Sequence, residues 1–164
     1  MKATGFIEQK TFTRDEIEKQ VLRWKFFGKQ IVFTNGCFDI LHQGHIYSLT
    51  QAAQEADILI VGLNSDSSVK KLKGSDRPVN DEKSRSIILA SLIMVDAVVI
   101  FEEETPLELI KAILPNVLVK GGDYSPEEIV GAKEVMDAGG KVVINPIIDG
   151  YSTTSIIQKL VKFI

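Results

Sequence analysis

His42 and His45 are the only histidines in 164 residues, and they stand three positions apart. At that spacing they share one face of a helical turn. An apolar helical pattern begins there, with Ile46, Leu49, Ala52, Ala53 and Ala56 at helix spacing. Upstream, Ile31-Val32-Phe33 reads as a buried strand that stops at the turn pair Asn35-Gly36. Strand, glycine turn, paired histidines and helix start together describe a phosphate site. Free N–H groups at the positive end of a helix dipole favour an anion, and two imidazoles can donate to it. A zinc reading is weaker, because no third histidine exists and the one cysteine is Cys37.

Three further groups could serve the same chemistry. Lys70, Lys71, Lys73 and Arg77 place four cations in eight residues of an acidic chain, which suits a mobile clamp on a triphosphate and a phosphorylated substrate; a solvated basic loop is the alternative. Gly150-Tyr151-Ser152-Thr153-Thr154-Ser155 leads into a last helix with Ile156, Ile157, Leu160 and Val161 on one face. Its hydroxyls and free N–H groups form a second anion cradle, although Ser and Thr are also ordinary N-caps. Lys120-Gly121-Gly122-Asp123-Tyr124 follows a strand and offers a cation, a carboxylate and close backbone approach. Glu102-Glu103-Glu104 reads as a solvated loop rather than a metal cluster, and nothing near Cys37 in sequence would activate its thiol as a nucleophile.

These groups need strands and helices to carry them. Thr13-Arg14-Asp15-Glu16 is a capping box opening a helix with Ile17, Val21 and Trp24 inward. Apolar runs Ile31–Phe33, Ile58–Leu63, Asp96–Phe101, Val117–Val119 and Val142–Ile144 alternate with helical patterns. One helix is expected to be capped by Asn80 and to run through Ile87, Ile88, Ala90, Ser91 and Ile93, with Arg85 on it. Another should start at Thr105-Pro106, and a third at Ser125-Pro126-Glu127-Glu128. The expected fold is a single α/β domain, a doubly wound five-stranded parallel sheet. In such sheets ligands bind beyond the carboxyl ends of the strands, where every group above falls. Residues 1–28 are expected to be an N-terminal extension and helix, the first ten loose or reaching an oligomer partner, and 29–164 the working domain.

Formal charge of −3 gives no case for nucleic acid or an anionic membrane surface. One cysteine excludes an internal disulfide and fits a reducing cytoplasm. No apolar run approaches a membrane span, and no Walker loop or G-x-G-x-x-G is present. A cytoplasmic protein acting on small molecules is expected, as a homodimer or higher homo-oligomer.

Gly36-Cys37-Phe38-Asp39-Ile40-Leu41-His42-Gln43-Gly44-His45 resembles the G-x-F-D-x-x-H-x-G-H signature of the nucleotidyltransferases that include cytidylyltransferases and phosphopantetheine adenylyltransferase. From about Phe12 onward the chain is similar to the heptose 1-phosphate adenylyltransferase domain of ADP-heptose synthesis, on segments such as Leu72-Lys73-Gly74, Arg77-Pro78-Val79-Asn80 and Leu118-Val119-Lys120-Gly121-Gly122-Asp123-Tyr124. The resemblance implies a Rossmann-like strand order 3-2-1-4-5 and transfer of AMP from ATP, bound with Mg²⁺, to a sugar 1-phosphate. It implies catalysis by His42, His45 and Lys73. The nucleotide would be held by Gly36, Cys37, Phe38, Asp39 and Gly44, with Lys71, Ser152, Thr153 and Thr154. Thr34, Asn35, Asn64, Lys120, Gly121 and Asp123 would serve the acceptor, and no metal site on the protein itself is implied. Ile147 stands where cytidylyltransferases place an arginine, and Ser155 where a basic residue often follows Thr-Thr, which favours ATP over CTP. Glycerol-3-phosphate cytidylyltransferase is the alternative enzyme, and a non-catalytic nucleotide-binding module the alternative from another class. That domain is fused to a kinase in many bacteria; Met1 and the N-terminal helix favour a stand-alone enzyme here over an excised half.

Overall fold

The computed structural model describes residues 4–122, 124–146 and 150–161. Six parallel strands form one sheet: β1 Thr11–Phe12, β2 Ile31–Gly36, β3 Ile58–Asn64, β4 Ala97–Phe101, β5 Val117–Gly121 and β6 Lys141–Asn145, in the order β1-β4-β3-β2-β5-β6. The expected five-stranded sheet is thus corrected to six. The added strand, β1, is two residues long and pairs with β4 at the edge. A two-residue strand shows no apolar run or alternation, so pattern alone cannot reveal it. The other strands lie as β4-β3-β2-β5-β6.

Strand side chains alternate between two cores, as period two requires. Ile31, Phe33, Ile60, Val99 and Leu118 pack on one face against α1 (Arg14–Phe26), α5 (Leu107–Ile113) and α6 (Ala132–Asp137). Val32, Leu59, Val61, Val98 and Val119 pack on the other against α2 (Gln43–Ala53) and α4 (Glu82–Ala90). Strands buried on both faces explain the continuous apolar runs. Because β2 feeds α2 on one face while β5 leads to α6 on the other, the adjacent carboxyl ends of β2 and β5 open a crevice. Two more helices border it, α3 (Asp66–Lys73) by its last residues and α7 (Thr153–Val161) by its first.

Several local expectations change. Part of the N-terminal segment packs on the domain: Ile7 lies partly buried against one core, Lys10 Nζ donates to the Leu92 and Val95 carbonyls, and Ile17 and Val21 of α1 belong to the other core. The capping box at Thr13 and Glu16 is present, and Trp24 is partly buried against the core. Asp81, not Asn80, caps α4, its carboxylate accepting from the Ser84 N–H; the Asn80 amide is taken by the Asp39 carbonyl. The helix stops at Ala90 and buries Arg85, Ser86, Leu89 and Ala90, leaving Ile93 beyond it and 93% exposed. The basic stretch is not all loop, since Lys70, Lys71 and Lys73 form the last turn of α3, where cations oppose the helix dipole favourably. The α5 helix starts at Leu107 with Pro106 at its cap, one residue later than the proline pattern suggested. Ser125–Glu128 forms a capped 3₁₀ turn, and α6 begins at Ala132.

Candidate active site

A cleft of about 810 Å³ opens over the carboxyl ends of β2, β3 and β5. It brings together residues far apart in the chain: Asn35–Asp39, His42, Gly44, His45, Asn64, Lys73, Lys120, Gly121 and Ser152–Thr154 all line it. Thr34 and Lys71 do not. Thr34 is buried in β2, and Lys71 is exposed on α3 away from the cleft. Asp123 and Ile147 lie outside the described residues. Ser48, Glu104 and Tyr151 line the cleft without having stood out as site residues in the sequence, because nothing in spacing signals a side chain brought in by a neighbouring helix or loop.

His42 is the N-cap of α2, and its ring stacks on His45 with centroids 3.8 Å apart and planes at 25°. The His42 N–H donates to His45 Nδ1 at 3.4 Å, which leaves the proton of that neutral ring on Nε2. Burial, and then the neighbouring His42, push His45 down to about 4, and burial lowers His42 as well. Both rings are therefore neutral at pH 7. His42 Nδ1 is buried and has no hydrogen-bond partner among the described residues. Gly44 makes room for this ring: a Cβ there would sit 3.1 Å from His42 Nδ1 and Cε1 and 3.2 Å from Tyr151 Cβ. Phe38 adopts a left-handed backbone (φ 45°), and its ring lies 5.4 Å from that of His45. Such strain in a non-glycine residue persists where surrounding structure enforces it.

Around the imidazoles stands a fully paired framework. The Asp39 carboxylate, 3% exposed as a residue, accepts from Arg77 Nε at 2.7 Å and from the Val79 and Asn80 N–H groups at 2.9 Å. Burial pushes its pKa up, but these bonds outweigh burial and hold the carboxyl below its usual value. Arg85, 1% exposed, donates to the carbonyls of Cys37, Asn64 and Asn80 and to Asp66 Oδ1. It thereby ties the ends of β2 and β3 to the start of α3. Ser65 caps α3 by accepting from the Ser68 N–H. Ser152 accepts from the Ser155 N–H at the start of α7, and the Thr153 hydroxyl donates to the Ile40 carbonyl, so the second hydroxyl cradle is fastened to the first loop.

Two lysines also reach the cleft. Lys73 faces the cleft from the end of α3. Lys120 enters from β5, where burial lowers its pKa. Burial raises the Cys37 thiol despite nearby Lys73, Arg85 and Arg77, so it stays protonated and is no nucleophile at neutral pH. Among the described residues no three His, Cys, Asp or Glu side chains gather to hold a metal, and no helix is long and apolar enough to cross a membrane.

A doubly wound parallel sheet with imidazoles, cations and two helix starts converging on its switch point defines an α/β protein with a polar cleft at the place where such sheets bind ligands. The chain belongs to the cytidylyltransferase-like family, whose description matches residues 33–159. It is 53% identical over 152 residues to the "Bifunctional protein HldE" of Koribacter versatilis, covering 93% of this chain and 31% of that protein. With the protein of the same name from Nitrobacter hamburgensis it shares 54% over 145 residues, 88% of this chain and 30% of the relative. The chain thus spans under a third of the length of these relatives. A lipopolysaccharide core biosynthesis protein from Thermoplasma volcanium superposes with a TM-score of 0.60 at 27% identity, over 76% of this chain and 100% of that one. The fold is shared with a pantoate-β-alanine ligase from Francisella tularensis, at TM-score 0.53 and 18% identity over 79% and 64% of the two chains.

Proposed function

We propose that this domain is a nucleotidyltransferase that moves AMP from ATP to D-glycero-D-manno-heptose 1-phosphate, giving ADP-heptose and pyrophosphate in the cytoplasm. The observation that carries the reading is the stacked, neutral His42–His45 pair at the start of α2, facing a cleft that Lys73 and Ser152–Thr154 also line. A phosphate oxygen of the sugar 1-phosphate attacks the α-phosphorus of ATP in line. The new P–O bond forms as the bond from the α-phosphorus to the bridging oxygen breaks, and that oxygen leaves with pyrophosphate. Such a transfer needs positioning and charge stabilisation rather than a covalent intermediate, in keeping with a protonated Cys37.

In this reading the imidazole N–H groups donate to the α- and β-phosphates as negative charge develops on the bridging oxygen. Lys73 neutralises the departing pyrophosphate, and the start of α7 holds phosphate through Ser152, Thr153 and Thr154. Gly36, Cys37, Phe38 and Gly44 supply backbone and close approach for the nucleotide, while Asp39 acts through the loop it holds. Asn35, Asn64, Lys120, Gly121 and Asp123 serve the acceptor. Mg²⁺ would enter as the counter-ion of ATP, neutralising charge on its phosphates. The HldE-named relatives support an adenylyl acceptor of the heptose class, through the resemblance of this domain to them.

The test is pyrophosphate release with ATP, CTP, GTP and UTP, each against the heptose 1-phosphate and glycerol 3-phosphate. ATP with the heptose phosphate should be the efficient pair. Efficient CTP turnover with glycerol 3-phosphate, and none of ATP with the heptose phosphate, would replace the substrates while keeping the chemistry. Absence of release from every pair would leave a non-catalytic module.

A further inference from the structure

Three carboxylates among the described residues line the cleft: Asp39, Glu104 and Glu128. Two are committed. Asp39 is spent on Arg77, Val79 and Asn80, and Glu128 accepts the Ser125 N–H in its capping turn. Glu104 makes no hydrogen bond or ion pair with another described residue, yet its backbone is held on both sides. Before it, the Glu103 carbonyl accepts from Ser68 Oγ, which in turn accepts from Asn64 Nδ2, both at 3.0 Å. The Glu103 carboxylate accepts from Arg14 Nη2 at the start of α1 and from the Glu102 N–H. After it, Pro106 is buried and its carbonyl receives the Ile110 N–H of α5.

Glu104 is exposed on the cleft wall, and a cleft built for phosphates gains nothing from a carboxylate there, since like charges repel. An acceptor-only group without a partner in the fold is matched instead by hydroxyl donors. Resting on the function proposed above, we infer that Glu104 is a specificity-determining residue for the acceptor, its carboxylate receiving hydrogen bonds from sugar hydroxyls beside Asn64 and Thr105. Arg14, acting through Glu103, is a positioning residue for it. Arg14 precedes residues 33–159, so this support is supplied by the β1–α1 unit that lies outside the family match.

The experiment is steady-state kinetics with ATP, Mg²⁺ and the heptose 1-phosphate on wild type, Glu104→Gln, Glu104→Ala, Arg14→Ala and Arg14→Lys, with thermal midpoints alongside. Losing a hydrogen bond to a charged group costs about tenfold or more in affinity. The KM for the sugar should rise about tenfold in the Glu104 variants, with that for ATP within about twofold and the midpoint unchanged. Arg14→Ala should raise the sugar KM less, and Arg14→Lys should recover part of it. A sugar KM near wild type in Glu104→Ala, or equal rises in both KM values with a lowered midpoint, would overturn the inference alone. If wild type turns over no sugar phosphate at all, the proposed function falls and this inference with it.

Discussion

Two neighbouring regions of the cleft are built on opposite principles. Around Arg85 and Asp39 every strong polar group has partners: one guanidinium serves three carbonyls and a carboxylate, and one carboxylate takes a guanidinium and two backbone N–H groups. Around His42 and His45 the partners are sparse, and a buried ring nitrogen has none among the described residues. Buried polar groups are ordinarily satisfied, so an orphan beside a saturated network marks a place where the fold has not spent its hydrogen bonds on itself. On the proposed function, the first region is framework and the second is machinery. Removing a framework residue should therefore cost stability first, and removing a machinery residue should cost turnover alone.

The largest effect should come from Arg85→Met. Breaking a buried, fully paired charge leaves several carbonyls and Asp66 without their donor, at about 3–5 kcal/mol of folding free energy. Urea denaturation would measure it; a loss under about 1 kcal/mol would erase the distinction between the regions. His45→Ala should lower kcat by about 10²–10³, the range for one positioned charge-stabilising donor, with the denaturation midpoint close to wild type. A variant that unfolds more readily yet turns over normally would reverse the assignment.

Lys73→Ala should reduce kcat/KM for ATP by about tenfold, as expected for one cation on a phosphate, while Lys70→Ala changes it little. Lys71→Ala should behave like Lys70→Ala, because both side chains are exposed and only Lys73 of the three lines the cleft. Equal effects from all three would return the patch to a solvated helix end.

The smallest effect concerns pH. His45 is lowered from 6.5 to about 4 in the folded protein by burial and by His42. Between those values the unfolded chain binds more protons, so folding stability rises with pH through the window and levels above it. From pH 7 down to pH 5, wild type should lose about 2–4 °C more in melting temperature than His45→Gln. Parallel melting curves for the two proteins would show that His45 is not held neutral by its surroundings.

Much of the fold was legible because both-face burial writes itself into sequence as apolar runs, and the five long strands carry it. Strand β1 was not, since pairing at a sheet edge needs only two backbones in register. The cap of α4 was misplaced by one residue for a related reason: Asn80 and Asp81 are both good caps, and the choice fell to Asp39, whose carbonyl captures the Asn80 amide from elsewhere in the chain. Lys71 and Lys73 were both expected to meet the phosphates, but two residues along a helix turn a side chain by about 200°, and only Lys73 lines the cleft.

By itself the sequence determined the local devices: the capping box at Thr13, and the histidine spacing and the hydroxyl run at two helix starts that follow strands. These depend on neighbours a few residues apart, which sequence displays directly. Only the tertiary structure decided which polar groups are spent and which are available. It sets Arg85 on carbonyls 5, 21 and 48 positions away, and Asp39 on a loop about 40 residues on. It also brings Glu104, read from sequence as part of a solvated acidic loop, to the wall of the cleft. Commitment of a side chain is a property of what lies around it in space, and low dielectric in the interior makes that commitment worth several kcal/mol either way.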